Sequence, residues 1–385
     1  MEKKIVYLVN HVAFFVSHRL PLAINAKKNG YDVVLITGLA GSNVMESEAL
    51  KLLKKYNIKH IRVGLSASKF NIFSELVGLF NLTYNLIKLR PSILHTVSTK
   101  GIIYGGLLAK FLNIKSLVIS YAGMGYLFTG ETNFKLRSLQ FIFIRLQKFI
   151  LNHKNLKVIV QNNDDKKFLI NLNVIKKNDI ILIKGSGVDL KKFKFSNLKE
   201  AKNIVLFPSR LLKNKGVIEF LKAAEQLAVK YPTWRFILAG SIDYDHPTNV
   251  NFKEIENYFK IKNIEWIDHQ INIIKLYIKS SIICLPSYRE GMPKSILEAA
   301  AIGRPVITTN AVGCRESILN NKTGIIVPVK DVDKLSKAME LLIINKQLRH
   351  KYGKEARSFA EKYFDLEDVK NKVQKIYNLL LKDEK

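Results

Sequence analysis

The chain predicts an α/β protein made of two doubly wound parallel-sheet domains. Short apolar strands alternate with amphipathic helices from the first residues to about 184, and the same alternation begins again at about 204. Between the two runs, Gly185-Ser186-Gly187-Val188-Asp189 places two glycines after a strand and opens a polar, lysine-rich stretch that reaches Lys202.

In the first half, runs of branched and aromatic residues predict strands at Lys4 to Val9, Asp32 to Thr37, Lys59 to Val63, Ile93 to Val97, Ser116 to Tyr121, Lys157 to Gln161 and Asp179 to Lys184. Helical patterns between them include Arg19 to Asn29, Asn71 to Leu89, Gly101 to Leu112 and Phe134 to Leu151. The second half gives strands at Ile204 to Phe207, Arg235 to Ala239, Ile264 to Asp268, Ile282 to Leu285 and Val306 to Thr309, then a last helix from about Glu367 to Leu381. The expected division is a domain over 1–185, a linker over 186–202 and a domain over 203–365, followed by a helix in 366–385.

Composition bounds the function. At 385 residues, 48% hydrophobic and 10% aromatic, the chain has enough apolar residues for two cores. Its two cysteines, Cys284 and Cys314, make neither a disulfide framework nor a metal cluster, which suits a reducing cytoplasm. The start, Met1-Glu2-Lys3-Lys4 then Ile5 to Val9, stops being apolar at Asn10-His11 and reads as a strand rather than a signal peptide. No window reaches the roughly 18 uncharged apolar residues of a membrane span. The net charge is +30, shared as +18 over residues 1–185 (27 Lys+Arg, 9 Asp+Glu) and +12 over 186–385 (35 and 23). A basic first half suits anionic lipid headgroups or a pyrophosphate-bearing acceptor. Nucleic acid is the rival, but zinc-finger, RNP-type and basic-zipper patterns are all missing from the sequence, so no nucleic-acid partner is expected.

The segment with most chemistry is Glu290-Gly291-Met292-Pro293-Lys294-Ser295-Ile296-Leu297-Glu298. It follows the predicted strand Ile282 to Leu285, so Glu290 falls on a strand-to-helix loop. Pro293 suits the first helical position, Gly303 ends the helix, and Glu298 stands about a turn and a half inside it. In open α/β sheets ligands bind beyond the carboxyl ends of strands, where both glutamates then lie. A second loop has the same geometry. Ser209 to Lys215 joins the strand ending at Phe207 to a helix over Gly216 to Val229, so Arg210 and Lys215 project beside a helix N-terminus that already favours anions. A guanidinium fork and an ammonium point charge together suit a diphosphate.

Ser209-Arg210-Leu211-Leu212-Lys213-Asn214-Lys215-Gly216, with Pro286-Ser287-Tyr288-Arg289-Glu290-Gly291-Met292-Pro293 and Glu298, resembles the donor half of retaining GT-B glycosyltransferases. The resemblance is to the large bacterial family 4 type, with its E-x7-E motif and upstream R-x4-K, and it runs over nearly the whole chain; Gly187-Val188-Asp189 to Phe193 fits the family's GVD-x-x-x-F pattern as well. It implies two Rossmann-like domains facing a cleft, with the last helix packing back on the first domain. It also implies that Arg210 and Lys215 hold the nucleotide diphosphate, that Glu290 contacts the donor sugar and that Glu298 bonds the ribose hydroxyls. Gly291, Met292, Pro293 and Ser295 would line the donor site, the first three through backbone lying against sugar and phosphate. The donor implied is a UDP-sugar. Ser287 to Pro293 and Gly313-Cys314-Arg315-Glu316 look closest to enzymes that extend undecaprenyl-diphosphate-linked glycans with a hexose or N-acetylhexosamine. The location implied is the inner face of the bacterial cytoplasmic membrane, held peripherally, in surface polysaccharide or glycoprotein glycan assembly.

The acceptor half departs from the family pattern. Asn10 to Phe15 replaces the glycine-rich loop of many relatives, and no histidine follows the strand ending at Tyr121, so no role built on that histidine is carried over. Acceptor candidates are His18 and Arg19, placed by Ser17 as N-cap in the first turn of a helix aimed at the cleft, then Thr99 and Lys100 at another helix start, and Gly123 and Gly125 in a glycine-bearing loop. Two helices, Leu136 to Phe149 and Phe70 to Lys88, are aromatic and basic; packing into the core is the reading their residues favour, with membrane contact the alternative. Asp243-Tyr244-Asp245 and Asp331-Val332-Asp333 have metal-binding spacing but read as loops away from Arg210, so a metal-independent reaction is expected, with Arg210, Lys215 and helix N-termini neutralising the leaving group. Two rival functions share parts of this reading: a GT-B-fold UDP-sugar 2-epimerase, and a non-catalytic binding protein on a membrane surface.

Overall fold

The computed structural model describes residues 3–39, 43–66, 72–124, 134–244, 246–270 and 272–382. It divides into two compact units, Met1–Ser186 with Asp368–Lys385, and Gly187–Glu367.

The first unit holds β1 (Lys4–Val9), β2 (Asp32–Leu39), β3 (Lys59–Ser66), β4 (Ile93–Val97), β5 (Ser116–Ser120), β6 (Leu156–Val160) and β7 (Ile180–Leu182). All pair in parallel, in the order β3-β2-β1-β4-β5-β6-β7. The second unit holds β8 (Ile204–Pro208), β9 (Arg235–Ala239), β10 (Ile264–Ile267), β11 (Ile282–Leu285), β12 (Val306–Thr309) and β13 (Gly324–Val327), again parallel, in the order β10-β9-β8-β11-β12-β13. The chain thus reverses direction across each sheet once, between β1 and β4 and between β8 and β11. Both sheets are buried on two faces, which is why their strands read as continuous apolar runs rather than alternating ones.

In the first sheet, Val6, Leu8 and Ile36 face the helices Ile72–Leu89, Thr99–Phe111 and Phe134–Leu151, through Leu82, Leu86, Ile102 and Ile150. Ile5, Tyr7 and Val9 face the other way, against the helices Val12–His18 and Leu20–Lys28 and the last helix, Leu366–Lys382, which supplies Val369, Val373, Ile376 and Tyr377. A buried polar chain ties that last helix down. Tyr377 Oη lies 2.6 Å from Tyr7 Oη and 2.7 Å from His95 Nδ1, and His95 Nε2 lies 2.7 Å from Ser120 Oγ. Burial lowers the imidazole's proton affinity well below the ordinary value, so His95 serves here as a neutral hydrogen-bonding group.

Two sequence expectations change. Arg19 to Asn29 is not one helix opened by Ser17: a helix starts earlier, at Val12, where His11 Nδ1 accepts from Phe14 N at 3.2 Å, and it ends at His18. Ser17 Oγ turns back to Phe14 O at 3.1 Å, and Arg19 separates that helix from the next, whose second residue is Pro21. Within the stretch expected as a linker, Val188, Phe193 and Leu198 are buried, and Val188 exchanges backbone hydrogen bonds with Phe364 and Leu366. Pro293 is the N-cap and Lys294 the first helical residue, because Pro293 keeps an extended ψ of 115° while its carbonyl accepts from Ile296 and Leu297.

Candidate functional site

The reversal between β8 and β11 brings together the two loops read as a donor site. Leu211 and Leu212 are buried, and the tight turn Lys213–Lys215 closes on Gly216, whose φ of +77° caps the helix Val217–Lys230. A Cβ at Gly216 would sit 2.1 Å from Pro286 O, so glycine is what lets the β8 loop lie against the exit of β11. Asn214 O then accepts from Tyr288 N at 2.9 Å and Ser287 Oγ at 3.0 Å. Across this contact Lys215 Nζ forms an ion pair with Glu290, whose Oε1 also accepts from Ser287 Oγ at 2.9 Å. The pair is mostly buried, with side-chain exposures of 19% and 13%. From the other side Glu290 N donates to Val312 O at 2.9 Å, and Gly313, φ +77°, has no room for a Cβ, which would approach Glu290 O to 2.3 Å. Glu290 is thus held by three loops.

Glu298 stands on the helix Lys294–Ile302 and is enclosed rather than solvated. Its carboxylate accepts from Tyr277 Oη at 3.4 Å and lies 3.7 Å from Lys294 Nζ. Burial raises its proton affinity above the ordinary carboxylate value, opposed by Lys294 and Lys192. Gly291, Met292 and Pro293 are buried, and Ser295 is half-buried with its carbonyl accepting from Tyr277 Oη at 3.1 Å.

Arg210 corrects the reading of the two acidic motifs. Its Nη1 bonds Asp243 Oδ2 at 2.7 Å, so Asp243 stands beside Arg210 rather than away from it. The cause is the β9 exit loop, which runs beside the β8 loop: Leu211 bridges Ile242, and a Cβ on Gly240 would sit 2.1 Å from Ser209 O. Asp245 lies outside the described residues. Asp331 is an N-cap, accepting from Lys334 N at 2.9 Å. Among the described residues, no group of three or more His, Cys, Asp or Glu is placed to hold a metal ion. The same β9 loop contributes a residue that sequence reading missed. His246 Nδ1 accepts from Thr248 N at 3.1 Å, and Thr248 Oγ1 donates to Asn214 Oδ1 at 3.0 Å. Burial, with Arg210 and Lys215 nearby, lowers the proton affinity of His246. Its signal was weak, a lone histidine in a loop.

In the first unit the acceptor candidates stand on separate elements: the helix Val12–His18, the start of the helix Thr99–Phe111 and the stretch beyond β5. His18 ends its helix, with its ring stacked on Phe14 at 4.3 Å. Arg19 is 4% exposed and donates from Nη1 to His18 O at 3.1 Å, so it is a core guanidinium instead of a first-turn cation aimed outward; the missing Ser17 cap is the reason. Thr99 opens its helix after Ser98, whose φ of +70° is held by an Oγ bond to Asn10 Oδ1 at 2.6 Å. Lys100 Nζ pairs with the buried Glu75 at 2.6 Å, and Tyr104 Oη donates to the same carboxylate at 2.7 Å. Gly123 has φ +102° beyond β5; Gly125 lies outside the described residues.

Two parallel sheets of this order in one chain fit the GT-B architecture. Residues 189–359 match the model of glycosyl transferases group 1, and residues 4–183 match that of glycosyl transferase 4-like proteins. The chain is 28% identical over 389 residues to an N,N'-diacetylbacillosaminyl-diphospho-undecaprenol alpha-1,3-N-acetylgalactosaminyltransferase of Campylobacter jejuni, covering 97% of this chain and 98% of that one. It is 25% identical over 326 residues to the UDP-Gal:alpha-D-GlcNAc-diphosphoundecaprenol alpha-1,3-galactosyltransferase of Escherichia coli, covering 80% of each. Among solved structures, a glycosyltransferase from Rickettsia africae superposes with a TM-score of 0.75 at 23% identity over 99% of both chains. HepE of Anabaena, in complex with UDP-glucose, gives 0.76 at 16% identity over 98% of this chain and 99% of that one. The chain belongs to the GT4-like glycosyltransferases of GT-B fold. These similarities favour neither the epimerase nor the non-catalytic alternative.

Proposed function

We propose that the enzyme transfers a hexose or N-acetylhexosamine, with retention of configuration, from a UDP-sugar to a glycan carried on undecaprenyl diphosphate, for surface polysaccharide or glycoprotein glycan assembly. The observation that carries the donor half is the convergence of Arg210, Lys215 and Glu290 on the loops beyond β8 and β11. Arg210 and Lys215 hold the diphosphate together with the N-terminus of the helix Val217–Lys230, Glu290 contacts the sugar, and Glu298 accepts from the ribose hydroxyls. Gly291, Met292, Pro293 and Ser295 line the donor.

As the bond from the anomeric carbon to the diphosphate oxygen breaks, the two cations and the helix N-terminus take up the developing charge, in a reaction that needs no metal. The acceptor hydroxyl attacks from the face the diphosphate leaves, and its proton passes to the departing phosphate oxygen. Acceptor and donor names of the Campylobacter and Escherichia relatives, and the UDP-glucose bound to HepE, support the lipid-linked acceptor and the UDP-sugar. On the acceptor side we assign His18, Thr99, Lys100, Gly123 and Gly125, with the buried Arg19 positioning His18 through its bond to His18 O. The place of action is the inner face of the cytoplasmic membrane, held at an anionic lipid surface.

Protection against thermal unfolding by UDP-, GDP- and ADP-sugars, with and without EDTA, in wild type and Arg210→Ala, tests the donor site. A shift with UDP-sugars that survives EDTA and disappears in the variant supports the reading, and no shift with any nucleotide sinks it. A covalent glycosyl adduct trapped on Glu290 would overturn the single-displacement step.

A further inference from the structure

The helix Ile72–Leu89 is apolar on both of its faces, and only one of them is used. Gly78, Leu82, Leu86 and Leu89 are buried against the first sheet. On the opposite side Phe73, Leu76, Phe80, Tyr84 and Ile87 follow one another at helical spacing with 54% to 77% of their surface exposed. Over 18 residues this stripe is ~27 Å long, far more than scattered surface apolar residues make. The helix Phe134–Leu151 lies on the same face of the sheet, since Ile150 and Leu151 share the cluster of Leu82 and Leu86. It exposes Phe134, Phe141, Ile142 and Phe149, with Arg145 4.9 Å from the Phe141 ring.

Charge says what covers this face. The helix Phe134–Leu151 contains no acidic residue and carries Arg137, Arg145 and Lys148. The single carboxylate of the helix Ile72–Leu89, Glu75, is turned inward and paired with Lys100. Outward, the described side chains of both helices include cations and no carboxylate, beside neutral polar groups such as Asn81 and Ser138. A second copy of the chain would bring like charges together, whereas an anionic bilayer meets both properties at once. Position adds a further point. Both helices begin beyond the carboxyl ends of parallel strands, and Phe73 and Phe134, among the most exposed residues, stand at those beginnings. Lys100 and Gly123 stand at the same edge.

We propose that the outer faces of the helices Ile72–Leu89 and Phe134–Leu151 form a docking surface for an anionic lipid bilayer, which sets the carboxyl edge of the first sheet at the headgroup level. The proposal names the membrane contact of the function proposed above, and it rests on that reading only for the lipid-linked acceptor.

The test is sedimentation of the full chain with vesicles of phosphatidylglycerol and phosphatidylethanolamine, against vesicles of phosphatidylcholine. Wild type binds the anionic vesicles and is released by salt. Phe73→Ser with Phe80→Ser lowers binding about tenfold or more, since apolar insertion and charge act together. Arg145→Glu with Lys148→Glu brings anionic binding down to the phosphatidylcholine level. In both variants the UDP-sugar thermal shift stays at its wild-type size, which shows that they fold. Absence of wild-type binding to anionic vesicles overturns the proposal, as does equal binding by the Phe73→Ser, Phe80→Ser variant. A dimer that this variant dissolves, without vesicle binding, replaces the bilayer by a second copy. Loss of the UDP-sugar shift in wild type would instead strike the donor site and leave the vesicle result standing.

Discussion

The two sheets carry an ammonium–carboxylate pair near the same topological place, and the pairs are built differently. Lys100–Glu75 joins two helices: its carboxylate is 8% exposed, shared with Tyr104, and fixed by long elements on one face of the sheet. Lys215–Glu290 joins two loops that touch because Gly216 and Gly313 leave no side chain between the strands' exits, and both partners reach the surface in part. The first arrangement makes a carboxylate a structural anchor. The second places its charges on strand-exit loops rather than between long helices, where an incoming anionic group can compete with Glu290 for Lys215.

Substitution separates the two. Glu290→Ala lowers turnover by roughly 10²–10³, the scale for removing one preorganised polar group from a reacting centre, and also costs about 2 kcal/mol by leaving the mostly buried Lys215 unpaired; equal turnover would remove Glu290 from the site. Glu75→Ala acts through stability, without a comparable loss of turnover in the folded enzyme. It destabilises the first unit by about 2 kcal/mol, less than the roughly 3–5 kcal/mol of a fully buried pair because Lys100 can still reach water, and this is read by urea unfolding. Gly313→Ala forces a Cβ into Glu290 O at a positive φ, so it should cost about 1–3 kcal/mol and donor affinity together. Asp243→Asn removes the half-exposed partner of Arg210, a pair worth about 0–1 kcal/mol, and changes the donor KM by no more than about fivefold. The smallest effect is in pH. Glu298 binds its proton more tightly folded than unfolded, so that contribution to stability is present below the ordinary carboxylate value and fades as pH rises through the raised one. UDP affinity moves oppositely across the same window if, as proposed, the ionised carboxylate is the ribose acceptor. Glu298→Gln flattens both curves in melting and titration experiments.

Most strands were legible because fully buried parallel strands are continuous apolar runs, and Lys4–Val9 or Arg235–Ala239 admit no other period. β13 was not, since Gly-Ile-Ile-Val is four residues long at a sheet edge. The break at Arg19 was hidden because a serine three residues before an apolar run looks like a cap, whereas the cap in use is a histidine ring. Within the candidate site the cations and Glu290 stand on loops, and Glu298 on the helix that follows, as local sequence announces. Their mutual pairing does not show in sequence, since Lys215 and Glu290 are 75 residues apart and Arg210 and Asp243 are 33 apart, joined only by the order of the strands. The exposed stripe on Ile72–Leu89 was hidden for a related reason: a helix with two apolar faces has the same periodicity on each, and only the sheet decides which is covered.

The buried tyrosines Tyr7 and Tyr377 have a consequence for biosynthesis. As the nascent chain leaves the ribosome, the face of the first sheet built from Ile5, Tyr7 and Val9 lacks part of its cover until the whole second unit has been translated and Leu366–Lys382 arrives. A stop codon just before that helix therefore damages the beginning of the protein, leaving the hydroxyl of Tyr7 and the ring of His95 without the group that joins them.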